Sequence, residues 1–365
     1  MIPYGRQNLD DEDIAAVVGV LRGDWLTQGP TIERFEEAVA EYVGADHAVA
    51  FSSGTAALHG ATWAAGLGPG RIVHTTPLTF IATVNAARYV GATPELVDID
   101  RNTWNIDLSF IPQLSDAAIP VHYAGLPVDL SAGQWSHKPK VVIEDAAHAL
   151  GAHTPDGPVG NCAHSDMVCF SFHPVKPITT GEGGMVTTNN SELAERLRRF
   201  RSHGIVPKPE RGEWYYEVEE LGYHYRMTDI QAALGLSQIK KLDVFTERRN
   251  ELALRYRSLL AGLEIELPPL APAGYRHGHH LFPVLVPNRA RVFSEMRSKG
   301  IGVQVHYVPV HHHPLTASLK QVSEGLPVSE YVYSRVLSLP LHPGLSDSEQ
   351  DHVLEALVQA LKLGA

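Results

Sequence analysis

FSFHPVKPITTGEGGMVTTN, residues 170–189, holds one lysine, Lys176, between Pro174 and Pro177 and ahead of Gly181, Gly183 and Gly184. The run before it, DMVCFSF (166–172), is short and apolar, as a strand buried on both faces is. The prolines fix the backbone on either side of the lysine, and the glycines let the chain turn closely past it. A lysine amine becomes a nucleophile when an apolar or cationic setting lowers its pKa. Taken alone, Lys176 reads equally well as a cation that buries its stem and keeps its head in water.

Working back from that strand, five more short apolar runs appear: HAVAFSS (47–53), RIVHTT (71–76), PELVDI (94–99), AAIPVHY (117–123) and KVVIEDA (140–146). Helix-like or turn-rich stretches separate most of them, among them GTAALHGATWAAG (54–66) directly after the first. Strands spaced in this way predict βαβ units and a mainly parallel sheet with helices on both faces. Ahead of them, Ile14, Val17, Val18 and Leu21 predict an amphipathic helix over 10–22, and Ile32, Phe35, Val39 and Val43 a second. SELAERLRRFRSHG (191–204) predicts a capped helix ending at Gly204.

From about residue 228 one helical period runs for more than thirty residues, until PPLAPAG (268–274) breaks it. Within it the stripe Leu234, Ile239, Leu242 reads as core. HLFPVLVP (280–287) and IGVQVHYVP (301–309) predict strands, and SDSEQDHVLEALVQALK a closing helix. The expected organisation is α/β, with a large domain over residues 1–240, N-terminal segment included, and a smaller C-terminal α+β domain over 241–365.

The composition suits this: 365 residues, 44% apolar and 19% charged, with a net charge of −11. That charge argues against general binding to nucleic acid or to an anionic membrane. Cys162 and Cys169 are the only cysteines and read as small buried apolar residues in a reducing compartment. No apolar run approaches the ~20 residues needed to span a bilayer. With no leader-like start, a cytoplasmic chain is expected.

Three features bear on the lysine. SSGTAAL (52–58) takes a strand end into a helix, which aims free backbone N–H groups at one point and lets Thr55 add a hydroxyl: a phosphate cradle, or simply a capped helix. IEDAAHALG (143–151) puts Asp145 at the carboxyl end of an apolar strand, with His148 three residues on. Asp145 there either meets a ligand or caps the turn. Lys176 follows 31 residues after Asp145, with Ser171 and His173 on its approach. Together they form the anchors of pyridoxal 5′-phosphate: a lysine for its aldehyde, a carboxylate for its ring nitrogen and a helix N-terminus for its phosphate. TPLTFIATVNA (76–86) offers Phe80 as an aromatic to stack on the ring.

At this point the chain resembles the DegT/StrS family of PLP-dependent nucleotide-sugar aminotransferases, of fold-type I. The likeness runs nearly end to end through LTQGP (26–30), SSGTAAL, PLTFIATVNA, EDAAHALG, SFHPVKPITTGEGG, FRSHG (200–204), GYHYRMTDIQAALGLSQI (222–239) and QVHYVP (304–309). SFHPVKPITTGEGG, VHYAG (121–125) and IPYGRQ are most similar to the family's branch of pseudaminic-acid-pathway 4-aminotransferases. The resemblance implies Lys176 as the cofactor lysine, Asp145 as the ring-nitrogen partner and Phe80 as the stacking aromatic. It implies Thr55, Ala56 and Ser171 at the phosphate and His148 against the ring. It further implies a homodimer with shared active sites, in which relatives carry an Asn in GYNYR that reaches the neighbour's cofactor phosphate; this chain has His224. Tyr4, Gln28, His306 and Tyr307 are the expected sugar pocket. Glutamate would supply the amino group, and a UDP-linked 4-keto-6-deoxy-2-acetamido sugar would receive it at C-4. Another nucleotide-linked 3- or 4-ketosugar, or a PLP-binding regulator without turnover, are the alternatives. Retention of Lys176 argues against the dehydrases in which histidine replaces it.

HHH (311–313) and HGHH (277–280) have no carboxylate or cysteine beside them at metal-site spacing, so they read as loop histidines near a substrate cleft and no metal is expected. Arg201 and Arg226 are candidates for a diphosphate or for the donor's carboxylate, or are plain surface ion pairs.

Overall fold

Each short apolar run of the first half becomes a strand, and the strands assemble in an order different from their order in the chain. The computed structural model describes residues 1–322 and 325–362. Its main sheet has seven strands, in the spatial order His47–Phe51, Gly184–Thr188, Met167–Ser171, Val141–Asp145, Ala117–Ile119, Ile72–Thr75 and Thr93–Leu96. The pairs on the Thr93–Leu96 side, through to Met167–Ser171, are parallel. Gly184–Thr188 alone runs antiparallel to both of its neighbours. The central strands are buried almost throughout, which explains why they read as unbroken apolar runs rather than alternating ones.

Helices cover both faces. On one, Phe35, Val39 and Val43 of Pro30–Val43 pack with Val168, Phe170 and Phe172. On the other, Ala57, Leu58 and Ala61 of Gly54–Ala64 pack with Val49, Ile143 and Cys169. Cys162 and Cys169 are buried free thiols, as expected. The helix Asp11–Leu21 also forms, capped by Asp10, and packs on Asp229–Ile239, but the ends of its apolar stripe stay open: Ile14 is 58% exposed and Leu21 54%, while Val17 and Val18 are half-buried.

Two expectations are corrected. The long helical period beyond residue 228 is two helices, Asp229–Ile239 and Leu242–Leu259. Lys241, at the break, is drawn to Asp10 and Asp13, while Gln238 bonds Asp13 and the Asn8 carbonyl. Leu242 and Phe245 belong to the large-sheet core, whereas Leu252 and Tyr256 belong to a C-terminal core. Of the stripe, Ile239 and Leu242 are buried and Leu234 half-buried. The stretch 301–309 is likewise no regular strand and makes only two isolated bridges, Ile301 with Ile2 and Gln304 with Ser338. Gly302 donates to the Ile2 carbonyl at 2.7 Å, so the backbone there is spent on the N-terminal segment rather than on a ladder.

The C-terminal unit pairs Phe282–Leu285 with Val336–Leu339 antiparallel, with the helices Leu242–Leu259, Arg289–Ser298 and Asp347–Lys362 around them. Ile2 bridges Ile301, and the Tyr4 carbonyl accepts from Leu341, so the first residues lie along this unit. No helix among the described residues is long and apolar enough to cross a membrane.

Candidate active site

The carboxyl ends of the parallel strands open into a cavity of about 560 Å³, where ligands of open α/β sheets bind. Lys176, Asp145, Thr55, Phe80, His148, Ser171, Tyr4, His306 and Tyr307 all line it. Gln28 and His224 do not. Gln28 lines a separate groove with Arg198, Arg201 and Arg226, and His224 bridges Ser202 in the backbone with its ring against His203.

The lysine sits just past the strand Met167–Ser171, its amide bonded to the His173 carbonyl at 2.9 Å. The residue as a whole is half-buried, but its amine lies at the enclosed end of the cavity. Burial there pushes it down to about 8, against a smaller upward pull from Asp145. At neutral pH roughly a tenth of such amines are uncharged, against about one in three thousand for an ordinary lysine.

Asp145 ends the strand Val141–Asp145 and is buried. Thr83, near the start of the helix Ala82–Tyr89, donates to Oδ2 at 2.7 Å, and the Ala147 amide donates to Oδ1 at 3.2 Å. Both carboxylate oxygens thus accept from this chain's own donors. The Phe80 ring is 58% exposed and stands 6.0 Å from Tyr307, an apolar face open to the cavity.

At the other end, Ser53 caps the helix Gly54–Ala64 by accepting from Ala56 N at 3.1 Å. The Ala56 amide is therefore engaged by the cap. The amides of Gly54 and Thr55, in the first turn, have no acceptor among the described residues and lie at the positive end of the helix. Ser171 is packed against this turn so closely that a Cβ on Gly54 would lie 2.8 Å from its Cβ. Gly184 does the same from the neighbouring strand: a Cβ there would lie 2.4 Å from the Ser53 carbonyl oxygen. That glycine makes room for the backbone of the turn, not directly for a ligand.

The opposite wall comes from the C-terminal unit. His148 Nε2 lies 2.9 Å from the Tyr307 hydroxyl, and His280 leans on His148 with ring centroids 4.4 Å apart and planes tilted by 45°. His306 is held by Ser338 Oγ at 2.9 Å, and its carbonyl accepts from Tyr123 at 2.5 Å. Burial lowers His306 to about 3 and takes His148 and His280 well below the usual histidine range. Burial also raises Tyr307 well above the usual phenol value. All four are neutral at pH 7.

Thr83 escaped the sequence reading. It left one signal, its place four residues after Thr79 where a helix begins, which puts both hydroxyls on one side. His280 is the member of HGHH that reaches the cavity, as expected of a histidine near a substrate cleft. Of the two arginines singled out, Arg201 is committed to Glu36 and to the Ala50 carbonyl. Arg226 lines the separate groove, its Nε buried without a partner.

A lysine of lowered pKa, a strand-end carboxylate and a helix N-terminus thus surround one cavity, and the chain has relatives along its whole length. Residues 7–358 match the model of the DegT/DnrJ/EryC1/StrS aminotransferase family. The chain belongs to this family. The Bacillus subtilis spore coat polysaccharide biosynthesis protein SpsC is 38% identical, over 99% of this chain and 97% of its own. The Shewanella sediminis UDP-4-amino-4-deoxy-L-arabinose–oxoglutarate aminotransferase is 36% identical, over 98% of this chain and 97% of its own. The solved structure of Helicobacter pylori PseC, an aminotransferase of pseudaminic acid biosynthesis, superposes with a TM-score of 0.90 at 32% identity, covering 99% of each chain. The expected fold-type I architecture is thereby confirmed, and the chain is a PLP-dependent aminotransferase acting on sugars.

The cavity fits that cofactor. Free amides at a helix N-terminus suit a phosphate, a buried carboxylate oriented by two donors suits a protonated ring nitrogen, and a depressed lysine suits an aldehyde.

Proposed function

We propose that this aminotransferase moves the amino group of glutamate to the C-4 carbonyl of a UDP-linked 4-keto-6-deoxy-2-acetamido sugar. The observation that carries the reading is the uncharged polar wall of Tyr4, His306, Tyr307 and His280 facing Lys176 across one cavity. Neutral donors and acceptors suit the hydroxyls and carbonyl of a sugar. The part of PseC in pseudaminic acid biosynthesis supports a sugar of this kind, and the Shewanella protein's 4-amino UDP sugar supports the choice of carbon and nucleotide.

In this reading Lys176 holds the cofactor's aldehyde carbon, Asp145 its ring nitrogen, Phe80 one ring face and His148 the ring edge. The Gly54 and Thr55 amides and Ser171 hold the phosphate, with Ala56 shaping the turn through its bond to Ser53. Bound there, PLP supplies an electron sink for the carbon that loses its proton. Lys176 Nζ, once free, would take that proton and return it to the carbon two bonds away, which an amine poised near pH 8 does in both directions. Thr83 orients the Asp145 carboxylate. Two half-reactions through one cavity make the kinetics ping-pong.

The diphosphate and the carboxylates of glutamate need cations, and Lys176 is the one lysine or arginine among the described residues lining the cavity. The reading therefore includes a homodimer with shared sites. The groove of about 530 Å³ holding Gln28 and Arg226, with His224 close by in the chain, is the part of one protomer offered to the other. The open stripe ends Ile14 and Leu21 and the exposed Trp25 and Leu26 supply apolar surface for that contact. The test is a panel of nucleotide-linked 3- and 4-ketosugars with glutamate, read by mass spectrometry. Amination of the UDP-linked 4-keto-2-acetamido sugar is expected; amination of 3-ketosugars alone overturns the reading.

A further inference from the structure

His311, His312 and Glu330 come together away from the active-site cavity. In sequence the three histidines at 311–313 have no carboxylate beside them; folding brings one from helix Pro327–Arg335. His311 Nε2 lies 2.6 Å and His312 Nε2 2.7 Å from the same atom, Glu330 Oε1. One ligand atom from each residue falls within 4.8 Å of the others.

We propose that His311, His312 and Glu330 form a binding site for a divalent transition-metal ion of the zinc class. Two imidazoles that merely donate hydrogen bonds to a carboxylate satisfy it best when shared between its two oxygens. Here both converge on Oε1, and Oε2 has no protein partner among the described residues. Two imidazole nitrogens and one carboxylate oxygen are ligands zinc takes, with water as the fourth. His311 is half-buried, its side chain 10% exposed, while His312 and Glu330 stand about one third open and leave a face for that water. Tetrahedral coordination at ~2.0–2.1 Å sets ligand atoms about 3.3 Å apart. From 2.6 and 2.7 Å, the Glu330 side chain reaches that spacing by withdrawing about 0.6–0.7 Å.

Both halves of the site are held in advance. The turn Val310–His312 is anchored by buried Val310, whose amide donates to the Pro77 carbonyl at 2.9 Å, and the Thr316 hydroxyl closes on the Val310 carbonyl. The helix bearing Glu330 is pinned at its start by Asp98, which accepts from Val328 N at 2.8 Å and Ser329 N at 2.9 Å. Tyr333, one turn along that helix, stands edge-on against His312 at 5.1 Å. Ligands presented by two fixed elements lose little freedom on binding. The turn begins three residues after Tyr307, so an ion here fastens the segment carrying one wall of the cavity to helix Pro327–Arg335.

The experiment uses full-length holoenzyme without a polyhistidine tag, stripped with EDTA and titrated with Co²⁺ and then Zn²⁺. The expected result is one Co²⁺ per chain with visible d–d bands, displaced by Zn²⁺, and a thermal midpoint raised by Zn²⁺. H312Q and E330Q are each expected to weaken binding at least tenfold, and H313Q to leave it unchanged. His312 is exposed enough that H312Q keeps the fold, which an unchanged midpoint in EDTA verifies. Absence of a stoichiometric Co²⁺ signal overturns the proposal, as does unchanged affinity in both H312Q and E330Q.

Discussion

Thr83 gives its single hydroxyl proton to Asp145 Oδ2 at 2.7 Å and is thereby left an acceptor toward Thr79 Oγ1, also 2.7 Å away. A two-hydroxyl chain thus runs along the start of helix Ala82–Tyr89 into the carboxylate at the strand end. Its effect is to fix the orientation of the Asp145 carboxylate at the cavity wall.

Removing that proton while keeping the shape tests the link. T83V is expected to weaken PLP binding about ten- to a hundredfold, the scale of one hydrogen bond to a charged group, ~1.5–3 kcal/mol. T83S restores it. Equilibrium dialysis of the cofactor against both variants is the measurement, and wild-type affinity in T83V contradicts the assignment.

Gly184 makes a second prediction, about the phosphate end. A Cβ would lie 2.4 Å from the Ser53 oxygen and 2.7 Å from the Gly54 nitrogen, both backbone atoms. G184A therefore has to displace the turn rather than a side chain. Cofactor affinity is expected to fall at least tenfold while the far-UV spectrum stays native, and inorganic phosphate is expected to protect the variant less from thermal unfolding than wild type.

The lysine carries a pH signature. Its folded value is about 8 against the ordinary 10.5, so between those values the unfolded chain holds a proton that the folded chain has released. Stability contributed by this group therefore rises with pH across that window, and below it the fold bears the cost of burying an ammonium. Cofactor-free K176M is expected to melt above the cofactor-free wild type at pH 7, with the gap narrowing toward pH 10. A gap independent of pH contradicts the low pKa.

Much of this was legible in the sequence because the parallel strands are buried on both faces. Such strands read as plain apolar runs, and Asp145, Lys176 and the SSGT turn stand out as polar residues at their ends. Phe80 and Ser171 followed from the same logic. What was hidden came from contacts between distant segments. His280 and Tyr307 meet His148 across more than a hundred residues, and Glu330 meets His311 from nineteen away. The period beyond residue 228 continues across Lys240 and Lys241 because Ile239 and Leu242 on either side of the break enter the same core, which periodicity does not distinguish from one helix. Gly183 and Gly184 suggested a close turn of the chain past Lys176, and Gly184 yields its space to the Ser53–Gly54 backbone. Of the stripe Ile14, Val17, Val18, Leu21, the two valines are half-buried and the two ends exposed.

The most direct test of the central claim is spectroscopic, on purified holoenzyme. Absorbance near the visible edge is expected to fall on adding glutamate and to return with 2-oxoglutarate. Borohydride added before glutamate is expected to fix the cofactor's mass on the peptide bearing Lys176, with no such label in K176A. Absorbance indifferent to glutamate, or a borohydride label on any other residue, contradicts the account.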